Sequence, residues 1–77
     1  MLSDVKVGDT VAEVDGAGGK LRLVAKRTIV RGTPTLWVTD VGSKFRKDNG
    51  RHYPAWMRPS VGIMTLDTFE EASRWTR

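Results

Sequence analysis

Thr35-Leu36-Trp37-Val38-Thr39-Asp40-Val41, followed by Gly42-Ser43, Lys44-Phe45-Arg46-Lys47, Asp48-Asn49-Gly50 and Arg51-His52-Tyr53, is the stretch on which the fold turns. Its first seven residues are dense in β-branched and aromatic side chains, which suit a pleated surface, so they read as a central strand. Asp48-Asn49-Gly50 is a hairpin signal, because Asn and Gly accept left-handed backbone at low cost. Lys44–Lys47 is then the outgoing arm and Arg51–Tyr53 the returning one. A two-residue Asn49-Gly50 turn pairs Arg46 with Tyr53, whereas a three-residue loop pairs Phe45 with Tyr53. The second register is expected, since two aromatics pair well on a core face.

Upstream, Val5 to Asp15 reads as a first strand that passes through a Gly8-Asp9 turn, with Val11 and Val14 near a period of two. Gly16-Ala17-Gly18-Gly19 reads as a flexible turn. From Lys20 to Arg31 the positions Leu21, Leu23, Ala25 and Ile29 define an apolar face, with Lys20, Arg22 and Lys26 opposite. Arg27 falls on the apolar phase, which predicts a bulge or bend near Lys26-Arg27. Arg31-Gly32-Thr33-Pro34 is turn chemistry.

Downstream, Pro54-Ala55-Trp56-Met57-Arg58-Pro59 is bracketed by prolines and therefore irregular, and Val61–Met64 reads as a short closing strand. Asp67-Thr68-Phe69-Glu70 has capping-box spacing, with Asp67 as N-cap of a helix over 67–76. Leu66, Phe69, Ala72, Ser73 and Thr76 form its inward face, and Glu70 with Arg74 makes an outward i,i+4 pair. About five strands and one short C-terminal helix predict a mostly β protein, a small SH3-like or OB-like barrel occupying residues 1–77 as one domain.

Seventy-seven residues leave room for a single core. The chain has no cysteine, so no disulfide staples that core; this fits a reducing compartment, and the expected location is cytoplasmic. Neither a signal peptide nor a membrane span is read from the sequence. The net charge of +4 is unevenly spread: residues 1–19 hold one lysine against four carboxylates, residues 20–58 ten cations against two, and residues 59–77 two against three. A basic block between acidic ends is the strongest partner signal in the chain.

Little here suits catalysis. His52 is the one histidine and has no orienting carboxylate beyond the turn residue Asp48, so it reads as a surface or packing residue. Without thiolates or an Asp-x-Asp-x-Asp-Gly loop no metal site is expected, and no cofactor is either. Gly16–Lys20 lacks both the Walker spacing and a following helix, so it reads as a turn and not a phosphate loop. The expectation is a binding protein and not an enzyme.

Two surfaces are candidates. Lys44, Arg46, Lys47 and Arg51 on the hairpin suit phosphates, with Phe45 and Tyr53 as stacking partners or as core, and Arg22 and Lys26 as potential neighbours. Trp37 reads as core, while Trp56 and Trp75 read as half exposed. Trp56, Met57 and Arg58 together suit a protein interface.

The run Arg27-Thr28 through Thr39, with Gly42–Gly50, resembles small uncharacterised accessory proteins of tailed bacteriophages, especially those infecting actinobacteria. Their pattern is a Gly-Asp opening strand, a Thr-rich central strand and a basic-Phe-Arg-basic-x-x-Gly hairpin, here spanning roughly residues 7–70. The resemblance implies a protein made in an infected bacterial cytoplasm and brings no catalytic residue. Gly8–Gly16 is more weakly similar to the KOW motif of ribosomal and elongation-factor barrels, although three glycines bunch where that motif continues. The expected function is therefore a non-enzymatic phage-type accessory protein binding a host macromolecule through Lys44, Arg46, Lys47, Arg51, Tyr53, Trp56 and Arg58. A protein partner is slightly preferred, because +4 with acidic ends is mild for a dedicated nucleic-acid binder. The alternatives are a nucleic-acid-binding barrel and a minor virion structural protein.

Overall fold

The computed structural model describes residues 5–75. Six strands, β1 (Thr10–Asp15), β2 (Arg22–Gly32), β3 (Leu36–Thr39), β4 (Lys44–Arg46), β5 (His52–Tyr53) and β6 (Val61–Thr65), are followed by the helix α1 (Leu66–Trp75). They form one antiparallel sheet in the order β5-β4-β3-β2-β1-β6. The mostly β class with a short C-terminal helix is as read, with one strand more and a sheet that no continuous ladder closes. Instead the edges touch at a point: Arg51 and Gly62 form an isolated bridge, and the Ile63 amide donates to the Gly50 carbonyl at 2.7 Å. Gly62 is required there, because a Cβ would sit 2.8 Å from the Gly50 carbonyl oxygen. No helix among the described residues is long and apolar enough to cross a membrane.

Curling the sheet gives it an inner face. Val5, Val11, Ile29, Trp37, Phe45, Val61 and Ile63 fill it as one apolar cluster. Val5 contributes although it precedes β1, which begins only at Thr10 because the Lys6 amide and the Asp9 carboxylate close a turn ahead of it.

The predicted bulge near Lys26-Arg27 is displaced to two sites. Glu13 pairs with Ala25 and Val14 with Leu23, leaving Val24 unmatched; Thr39 pairs with Ile29 and Val38 with Arg31, leaving Val30 unmatched. Each extra residue flips the alternation, so Leu23 joins Val14 on the outer face and is 43% exposed. Arg27 needs no bulge. It points inward because its Nε donates to Glu13 Oε1 at 3.1 Å, and Glu13 is completely buried.

The hairpin register also differs from expectation. Phe45 pairs with His52 and Lys44 with Tyr53, one residue further round than the Phe45–Tyr53 register. The loop therefore has four residues, Lys47 to Gly50, with Gly50 at φ +73° and its amide donating to the Arg46 carbonyl. The physical reason is the bond from the Arg51 amide to Asn49 Oδ1, which uses Asn49 to hold the return strand. His52 consequently takes the core position. Its ring meets Phe45 edge-on at 5.4 Å, and Nδ1 lies 3.2 Å from the Pro54 carbonyl.

Asp67 is not the N-cap. Thr65 Oγ1 accepts from the Thr68 amide at 3.1 Å, so α1 starts at Leu66 directly from β6 and Asp67 lies in its first turn, where a carboxylate favours the helix dipole. The helix packs on β1 and β6. The side chains of Ser73, Arg74, Trp75 and Thr76, and with them the Glu70–Arg74 pair and the reading of Trp75, lie outside the described residues.

Candidate functional site

Antiparallel register assigns side chains to faces, because directly paired residues project the same way. Gly32, Trp37, Phe45 and His52 form one cross-strand row, and the last three are buried. The neighbouring row on the opposite face is Arg31, Val38, Lys44 and Tyr53. Four strands at the usual spacing make that row roughly 14 Å long. Beside it Leu36 pairs with Arg46, and the Arg46 amide donates to the Arg51 carbonyl at 2.8 Å. The outer face running from the end of β2 across β3 and β4 to β5 therefore carries Arg31 of β2, Lys44 and Arg46 of β4 and Arg51 just ahead of β5, all exposed, around Leu36, the buried Val38 and a Tyr53 that is 51% exposed.

Four of the seven residues singled out in the sequence, Lys44, Arg46, Arg51 and Tyr53, come together in this way. The other three do not share the face. Lys47 has the opposite parity: its Nζ sits 4.1 Å from the centroid of the Trp37 ring, a cation–π contact. Arg58 reaches inward, with Nη1 3.6 Å from Glu13 Oε2. Trp56 stands on the loop after β5 and is 80% exposed. Arg22 and Lys26 pair with Asp15 and Ala12 of β1, away from the hairpin. Arg31 takes the place they were expected to fill, and only the bulge at Val30 turns it to that side, a shift that residue alternation does not reveal.

Charge on this face is partly balanced. Arg46 is ion-paired with Asp48 in the hairpin loop. Among the described residues Arg31, Lys44 and Arg51 have no ion-pair partner.

At the Tyr53 end of the basic row the turn after β3 and the loop after β5 border an open cleft of about 330 Å³. Its walls include Val41, Ser43, Lys44, Tyr53, Pro54 and Met57. Val41 and Met57 are 56% and 57% exposed, so apolar surface is presented to solvent there. A second hollow, along the seam where the sheet edges meet, is lined by Gly50, Arg51, Ser60 and Gly62. Asp15 stands near that seam with its carboxyl held below the ordinary value, chiefly by the Ala17 amide and then by the Ser60 hydroxyl, Arg22 and Arg58. Among the described residues no group of three or more His, Asp or Glu side chains is placed to hold a metal ion.

No protein family, curated relative or solved structure matches the chain.

Proposed function

We propose that the protein is a non-enzymatic nucleic-acid-binding module that uses the outer face running from the end of β2 across β3 and β4 to β5. The observation that carries the reading is the row Arg31–Val38–Lys44–Tyr53 with Arg46 and Arg51 beside it. Four cations, one from β2, two from β4 and one just ahead of β5, on a sheet that fixes their spacing, match a polyanion better than they match a mixed protein surface. The overall charge is mild, but affinity depends on local density, and the acidic residues lie mostly elsewhere. Of the acidic groups, Glu13 is neutralised internally by Arg27 and Arg58.

On overall charge the sequence slightly favours a protein partner, bound through the basic hairpin and exposed aromatics, with Trp56, Met57 and Arg58 as one candidate patch. Arg58 shares its charge with Glu13 at 3.6 Å while its side chain stays 41% exposed, whereas Arg31, Lys44 and Arg51 have no ion-pair partner among the described residues, which favours the basic row and a nucleic acid. We also propose a phage origin and, with it, a bacterial cytoplasmic setting.

Fluorescence anisotropy of labelled DNA and RNA tests the function. Lys44→Glu is expected to weaken binding at least tenfold, while Lys20→Glu, on the turn before β2, leaves it nearly unchanged. Equal losses from both substitutions, or no binding at low salt, would overturn the proposal; loss of a host-protein contact on Trp56→Ala would support the protein reading instead.

A further inference from the structure

Resting on the nucleic-acid reading, we propose that the cleft at the Tyr53 end of the basic face receives an unpaired nucleobase, so that the ligand is a single strand and not a duplex. Three observations point the same way. Tyr53 belongs at once to the cationic row and to the cleft wall, so a backbone tracking the row is led to the cleft mouth. Lys44 lines the cleft as well, which places a cation where the phosphate next to an inserted base would lie. Val41, Tyr53 and Met57 are each more than half exposed, and burying them against a planar aromatic base removes apolar surface that the protein alone leaves in water.

The size fits. An open hollow of about 330 Å³ lies at the lower end of the range for small-ligand pockets and has room for one planar group against the Tyr53 ring. In a duplex the faces of the bases are already stacked and the cations alone can engage it. A single strand engages the cations and also offers a free face to the Tyr53 ring. Trp56, adjacent to Met57 in the chain and 80% exposed, is available for the following base. The charge on the face selects a polyanion over an apolar peptide as the occupant.

The test is anisotropy with three labelled ligands of equal phosphate number: a mixed-sequence single strand, the same strand with abasic sites, and a duplex. The single strand is expected to bind roughly tenfold or more tightly than the other two, Tyr53→Ala to abolish that margin, and Tyr53→Phe to retain it. Because Tyr53 is exposed, neither substitution threatens the fold. Equal affinity for all three ligands, or a margin indifferent to Tyr53→Ala, overturns the base-binding cleft while leaving the nucleic-acid reading intact. Absence of binding to every ligand at low salt overturns both. Dimerisation by sedimentation that Met57→Asp dissolves, without a single-strand margin, assigns the cleft to a second copy and overturns the inference.

Discussion

Truncating the cation that faces Glu13 tests the internal logic of the fold. The Glu13 carboxylate is completely buried, Arg27 Nε bonds Oε1 at 3.1 Å, and Arg58 Nη1 is 3.6 Å from Oε2. Oε2 has no hydrogen bond, so the site has little reserve. Arg27→Ala leaves a buried carboxylate facing only the more distant, 41% exposed Arg58 side chain. Removing one partner of a buried pair costs about 3–5 kcal/mol, and since the Arg27 side chain is itself 25% exposed the lower end, about 3 kcal/mol, applies. A domain of this length has a total stability of roughly 4–12 kcal/mol. The loss is thus a large fraction of the whole, and the melting temperature should fall by roughly 12–24 °C. Arg58→Ala should cost only about 0.2–1 kcal/mol, because that contact is longer and reaches solvent. Replacing both Glu13 and Arg27 by leucine should restore most of what Arg27→Ala loses, since an apolar pair carries no desolvation penalty. Urea unfolding followed by tryptophan fluorescence, compared at equal m, gives each value. An Arg27→Ala variant within about 1 kcal/mol of wild type, against the expectation for a buried pair, would refute the reasoning, as would a double leucine variant no better than Arg27→Ala.

Three further outcomes are expected. Gly62→Ala pushes a Cβ to 2.8 Å from the Gly50 carbonyl oxygen, so the contact between the sheet edges should open at a cost of about 1–3 kcal/mol, seen as faster hydrogen exchange at the Ile63 amide in NMR. Thr65→Ala removes the cap of α1 and should cost about 1 kcal/mol, with fraying of the first helical turn visible in amide chemical shifts. The folded pKa of Asp15 lies below the ordinary value of 3.8, so the carboxylate adds stability that is fully present above 3.8 and disappears as pH falls through the folded value. Asp15→Asn should therefore be less stable than wild type near neutrality and converge with it at the acid end; thermal melts giving parallel curves across that range would contradict the assignment.

Residue chemistry alone revealed the strands: Leu36 to Thr39 is dense in β-branched and aromatic side chains and is buried at Trp37, Val38 and Thr39, and Asp48-Asn49-Gly50 can hardly be other than a turn. What alternation does not carry is parity across a bulge. Val24 and Val30 look like ordinary strand residues, yet each puts the residues on its two sides out of phase with simple alternation, which is why Leu23 emerges and Arg31 joins the basic row. The hairpin register was off by one residue because Asn49 bonds the Arg51 amide, giving a longer loop than the Asn-Gly pair implies. The buried ion pair did leave a trace in the sequence. Glu13 shares the period of Val11, and Arg27 shares that of Ala25 and Ile29; two opposite charges on apolar phases of adjacent strands are partners more readily than two separate irregularities. The fate of Arg58 and Lys47, one drawn to Glu13 and the other to Trp37, depends on tertiary placement and had no local signal.

The most direct test of the basic face is the salt dependence of binding to a single strand. With three to four phosphate contacts on the outer face, affinity should fall roughly 20- to 50-fold between about 50 mM and 200 mM salt. In the Arg31→Gln, Lys44→Gln double variant the slope of log K against log salt should shrink by about 1.4, two contacts at about 0.7 each. A slope unchanged in that variant, or an affinity indifferent to salt, would contradict the account.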